Sequence, residues 1–187
     1  MSLDAQRSPV RSRHPVRHRL TDRLLEALGR GRGAALLAGP GYGKTVLIEA
    51  LLAEIDMHAI WIDLGRFAGD PLPFAREVLQ KSAARSGARA SRSLAAVPEG
   101  LPAGAGAAAA IDLMTAGHAA RSDADVLLVL DEFEQVDPQG ELAMCLDHLL
   151  RGLPAPWKLV VAGRHEPWSG ELARQIQYGE IEAFDEE

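Results

Sequence analysis

Cys145 is the single cysteine of this chain, so no intramolecular disulfide framework exists and a reducing, cytoplasmic setting is expected. Aromatic residues are equally scarce at 5%, which leaves any core to aliphatic side chains. No run approaches the roughly 18 apolar residues of a membrane span. The opening "MSLDAQRSPVRSRH" lacks the apolar centre of a secretory signal. Net positive charge is missing too: the chain carries −6 over 187 residues. Residues 1–33 hold eight arginines against Asp4, Asp22 and Glu26, a local +5 that leaves −11 on the remainder. An acidic body argues against direct DNA binding by this segment, because such affinity rests on phosphate neutralisation. Residues 1–14 read as a solvated, disordered basic arm.

What is present alternates. "RLTDRLLEAL" (Arg19–Leu28) has helical apolar spacing, and "AALLA" (Ala34–Ala38) reads as a strand buried on both faces. A helix over Lys44–Ile55 and a strand over His58–Leu64 follow, then a helix opening at Pro71 and ending on Gly87. Residues 88–110, rich in Ala, Gly and Pro, read as a flexible surface excursion running into a helix at about Ala107–Ala120. "DVLLVLDEFEQV" is a strand that ends in carboxylates. "GELAMCLDHLLRGL", "WKLVVAGR", "GELARQIQ" and "EIEAF" continue as helix, strand, helix and strand. Such alternation specifies an α/β fold with a parallel sheet and helices on both faces.

Between the first strand and the next helix stands "AGPGYGKT" (Ala38–Thr45). Gly39, Gly41 and Gly43 let successive N–H groups turn inward around a phosphate, at the positive end of a helix. In that template Lys44 reaches the β and γ phosphates, and the Thr45 hydroxyl ligates Mg²⁺. Ala38 replaces the usual first glycine, but it ends the strand, so its methyl need not enter the phosphate cradle. Asp131, at the carboxyl end of an apolar strand, is placed to hold the Mg²⁺ shell, and Glu132 to orient or deprotonate a water. The competing reading makes Asp131, Glu132, Glu134 and Asp137 a solvated acidic loop. Arg164 ends another strand at the same edge and is a candidate for γ-phosphate contact; its competing reading is a surface salt bridge with a neighbour such as Glu166. Cys145 falls on an apolar helix face with Leu142, Leu146 and Leu149, as a small core residue.

"LLAGPGYGKT", "LLVLDEFEQV" and "KLVVAGRHEP…LARQIQYGEIEAF" resemble the ATPase module of the STAND NTPases, in particular MalT-like, large LuxR-type bacterial transcriptional regulators. The resemblance covers about residues 15–187. It implies a three-layer P-loop NTPase with a five-stranded parallel sheet of order 5-1-4-3-2. It also implies an ATP/ADP-binding loop comprising Gly39, Pro40, Gly41, Tyr42, Gly43, Lys44, Thr45 and Val46. Arg17 and Arg19, in "PVRHRLTDRLLEAL", resemble an arginine-bearing segment placed before the first helix and near the base. Members of that family continue into further domains, so a domain excised from a longer protein is expected, with those domains and possible self-association as its partnerships. The leading reading is a slow ATPase that switches a regulator. A small-molecule kinase and a non-catalytic nucleotide-binding scaffold stay open as alternatives.

Overall fold

Five short strands hydrogen-bond side by side, and the three central ones read as continuous hydrophobic stretches because they are buried on both faces, whereas the two edge strands are partly exposed. The computed structural model describes residues 15–84, 101–119, 125–164 and 170–185. The strands are β1 (Gly33–Leu37), β2 (His58–Asp63), β3 (Val126–Asp131), β4 (Trp157–Gly163) and β5 (Ile181–Asp185), all parallel, in the order β2-β3-β4-β1-β5. Read from the other edge this is the expected 5-1-4-3-2. β4 therefore lies between the strand that leads into the glycine loop and the strand that ends in Asp131.

The period-two alternation of the strands sorts them into two layers. Ala34, Leu36, Leu127, Val129, Val160 and Ala162 face one side, where Leu24 and Leu28 of α1 (Pro15–Arg30) and Ile48 and Leu51 of α2 (Lys44–Glu54) cover them. Ile60, Ile62, Leu128, Leu130, Leu159 and Val161 face the other. That side is closed by α3 (Pro71–Ala84), α4 (Ala103–Ala119), α5 (Glu141–Gly152) and α6 (Gly170–Gln177). Cys145 is buried in this second layer with Leu142, Leu146 and Leu149, as expected, and burial pushes its thiol up to about 12. Lys81 of α3 reaches past the layer to donate to the Trp61 carbonyl on the edge strand β2, at 2.6 Å.

Three expectations change. The first helix begins at Pro15 rather than Arg19, because proline needs no N–H partner in a first turn. Arg17 and Arg19 accordingly lie within α1, not before it. The segment 88–110 is not one excursion: residues 103–110 belong to α4, with Ala107 and Ala110 buried. Its small residues are a packing face against α3, where a Cβ on Gly106 would stand 3.2 Å from Leu72 Cδ1. Residues 85–100 and the arm 1–14 lie outside the described residues. Among the described residues no helix is long and apolar enough to cross a membrane.

α6 is short and polar, and it is held by side chains rather than by apolar area alone. Asp147 of α5 accepts from the Glu171 N–H at 2.9 Å, capping the start of α6. Arg174 binds both Glu171 oxygens and reaches Glu180 at 3.1 Å, while Gln175 donates to Glu171 at 2.9 Å. These bonds, the Arg174 ones foremost, hold the Glu171 carboxyl down at about 2.

Candidate functional site

The loop is built where a buried strand must turn abruptly into a helix. β1 ends at Leu37, in register with Gly163 of β4, and the Ala38 N–H donates to the Gly163 carbonyl at 3.1 Å. Gly41 and Gly43 have φ of 85° and 80°, left-handed values that glycine adopts without steric penalty. Gly43 is also the N-cap of α2 and supplies no capping side chain, and the helix has no acid in its first turn. The first amides of α2 are the ones a helix leaves without intrahelical partners, so its positive end faces the loop unopposed. Lys44 Nζ donates to the carbonyls of Ala38 at 2.5 Å and Gly39 at 3.2 Å, so the cation is folded into the loop's own concave side. Thr45 is exposed one residue further on. The Tyr42 ring, 66% exposed, lies across Gly39; a Cβ on Gly39 would stand 3.1 Å from its Cε2. Pro40 and Val46 are exposed on either side of the turn.

Across β4, the second half of the site gathers at the same carboxyl edge of the sheet. Asp131 ends β3 and is in register with Asp63, which ends β2. Burial raises the Asp131 carboxyl above its usual range; the Asp63 and Glu134 charges add to this, while the Glu132 amide and the Lys44 charge oppose it. A half-buried carboxylate with excess negative charge around it favours a nearby cation. Among the described residues no group of three or more His, Cys, Asp or Glu side chains is arranged to hold a metal alone. A metal at this edge would take few protein ligands, the Thr45 hydroxyl and Asp131, with phosphate and water supplying the rest, as Mg²⁺ prefers.

Glu132 is displaced from the simplest picture. Its backbone is left-handed, with φ of 56°, rare for a non-glycine residue, and its Oε2 packs onto the Cα of Gly65 in the turn after β2. The carboxylate thus leans over the Asp63–Gly65 turn, where Asp63 Oδ1 accepts from the Gly65 N–H at 3.0 Å. Arg164 follows Gly163 directly, so its backbone abuts the start of the loop. Its Nε pairs with Glu134 Oε1 at 2.8 Å. Glu166, the neighbour named for such a salt bridge, lies outside the described residues. Arg19 is exposed on α1; the side chain of Arg17 lies outside the described residues.

Sequence reasoning missed two contributors. Asp63 carried a signal: "HAIWID" is an apolar strand ending on a carboxylate, like the one ending at Asp131. Glu134 carried none, because nothing in "DEFEQV" separates a buried glutamate from an exposed one. The 3₁₀ turn Phe133–Gln135 makes the difference by rolling Phe133 and Glu134 inward.

No family model and no curated protein matches the chain. Its fold is similar to that of the ORC1 protein of Aeropyrum pernix in complex with DNA, at 19% identity and a TM-score of 0.57 over 90% of this chain and 43% of that one. A structure of Drosophila ORC bound to AT-rich DNA and Cdc6 is similar at 13% identity and a TM-score of 0.58, over 91% and 53%. A Walker-type ATPase of Pyrococcus abyssi is similar at 17% identity and a TM-score of 0.51, over 79% and 44%. The chain spans about half the length of the structures it matches. The likeness is one of fold alone, a parallel five-stranded sheet between helices.

Proposed function

We propose that residues 15–187 form a nucleotide switch that binds ATP and ADP with Mg²⁺ and hydrolyses ATP slowly. The observation that carries this reading is the loop itself. Two left-handed glycines, an uncapped helix start and the inward-folded Lys44 face the same edge as Asp131. The loop amides and Lys44 bind the phosphates, and Tyr42 and Val46 flank the turn as apolar walls. Arg164 meets the γ-phosphate. Thr45 and Asp131 would hold Mg²⁺, whose chemistry is to offset the charge of the β and γ phosphates. Glu132 orients the attacking water after leaving the Gly65 turn, and that movement is the physical reason for slow turnover.

The likeness of the three motifs to STAND ATPases supports a finer assignment, the switch domain of a MalT-like, LuxR-type transcriptional regulator. Its partners are then the other domains of a longer protein and further copies of itself, in the cytoplasm. Arg17 and Arg19 belong to the base-proximal segment in that assignment. One observation favours a second reading, a scaffold that binds nucleotide without turnover: the Glu132 carboxylate rests on Gly65.

The test is phosphate release from Mg·ATP beside equilibrium binding. Wild type binds and releases phosphate slowly, Glu132→Gln binds and does not turn over, and Asp131→Asn loses the Mg²⁺ dependence of binding. Binding with no phosphate release in any form establishes the scaffold. Phosphate passed to a small acceptor establishes a kinase, and no binding at all ends the proposal.

A further inference from the structure

We infer that Glu134 is the positioning residue for Arg164 and thereby sets the preference of the site for a nucleoside triphosphate over a diphosphate. This rests on the nucleotide-binding reading above. The Glu134 side chain is only 7% exposed, and its Oε2 has no hydrogen-bond partner among the described residues. An ionised carboxylate at that depth is costly unless a cation compensates it, and Arg164 Nε, at 2.8 Å, supplies that charge. Arg164 itself is 48% exposed. The ion pair is therefore two-sided, with a carboxylate anchored inside and a guanidinium facing out.

The guanidinium is fixed at both ends of its side chain. Its backbone follows Gly163, whose carbonyl accepts from Ala38 at the root of the loop. Its Nε is held by Glu134, which leaves the terminal Nη groups as the outward edge of the fork. Two parallel N–H donors suit a phosphate oxygen pair. Arginine otherwise loses substantial rotamer freedom when it grips a ligand, and a preformed Glu134 contact removes most of that loss before binding. The benefit falls on the γ-phosphate alone, because only the triphosphate reaches Arg164. The Glu134 charge also repels phosphates in general, but that effect weakens both nucleotides and largely cancels in their ratio.

The experiment measures Kd for ADP and for a non-hydrolysable ATP analogue, each with Mg²⁺. It uses wild type, Glu134→Ala, Glu134→Gln, Arg164→Ala and the Glu134→Ala/Arg164→Ala double variant. Triphosphate preference falls about threefold to tenfold in Glu134→Ala, the range expected for releasing one long side chain. It stays within about twofold of wild type in Glu134→Gln, whose amide oxygen still accepts from Nε. Glu134→Ala has no further effect once Arg164 is alanine. A general structural role would instead weaken both nucleotides together and add to the Arg164 loss. An unchanged ratio in Glu134→Ala, or full additivity in the double variant, overturns the inference. If Glu134→Ala does not fold, Glu134→Asp replaces it in the same cycle, because it retracts the carboxylate by one methylene while keeping its charge. A wild type that binds neither nucleotide sinks the loop reading and this inference together. A wild type that prefers the triphosphate regardless of Glu134 sinks this inference alone.

Discussion

Lys44 holds the glycine loop together and, in the proposed function, also binds phosphate, and one substitution separates the two. Without nucleotide, its ammonium bonds to the Ala38 and Gly39 carbonyls and holds the loop's entry to its exit. Charge-assisted bonds of this type are worth about 1.5–3 kcal/mol each when shielded. Here the loop is largely exposed, so water takes over most of that value, and a net cost of about 1 kcal/mol is appropriate for Lys44→Met. For a chain of this size that is a melting point lower by about 2–4 °C. With nucleotide, wild type at a hundredfold excess of Mg·ATP over Kd gains about 2.7 kcal/mol. That stabilisation corresponds to a rise of about 5–11 °C. Lys44→Met should start slightly lower and show almost none of the rise. Calorimetric melting of both proteins, with and without Mg·ATP, reads both quantities in one series. A variant that keeps the full nucleotide shift would place the phosphate site elsewhere. One with an unchanged starting melting point would show that the two carbonyl bonds contribute nothing.

Asp131 has a folded pKa above its unfolded one, so its ionised form is disfavoured by folding. Its favourable contribution is complete below the ordinary carboxylate range and disappears as pH rises through the raised value. Asp131→Asn should therefore melt higher than wild type at neutral pH and lose that advantage near pH 4, which melting across pH checks. Glu171 behaves oppositely: with its carboxyl at about 2 instead of 4.5, it stabilises above the higher value and loses that effect as pH falls toward the lower one. Glu171→Gln should cost about 1–2 kcal/mol at pH 7, allowing for the exposed side of Arg174, and should equal wild type near pH 2 in urea titrations. Gly106→Val puts branched carbons into the contact with Leu72 and should destabilise by about 1–3 kcal/mol. Amides of residues 107–114 should exchange slowly in hydrogen–deuterium measurements, and fast exchange there would undo the packing account of α4.

The parts of the fold that were legible are those where one physical rule dominates. β1, β3 and β4 are buried on both faces, so nearly every residue is apolar and the strands are plain in the chain. Cys145 was readable because its helix obeys a clean apolar spacing. α4 was expected at about Ala107–Ala120, and only its first turn was assigned to the excursion, because alanine and glycine serve close helix packing and low-complexity linkers alike and composition does not separate the two. The start of α1 was misplaced because a proline can either open a helix or precede one. In the site, the loop was legible because its three glycines and its lysine fall within one short stretch, Gly39–Lys44. The Arg164–Glu134 pair joins residues from two strands' ends, and such pairings depend on which turn rolls which side chain inward.

The strand order also governs when the site can come into existence. Among the described residues β1 pairs only with β4 and β5, the two latest of the five strands in sequence, and β3 meets β1 only through β4. As the chain leaves the ribosome, the glycine loop is made early, but its strand has no sheet neighbour until residues 157–163 emerge. β4 must then insert between two strands that are already present, a non-local step that makes folding slow and leaves apolar strands uncovered meanwhile. In the proposed function a nucleotide has no formed cradle until that insertion is complete, so it would stabilise the finished domain without templating its early assembly.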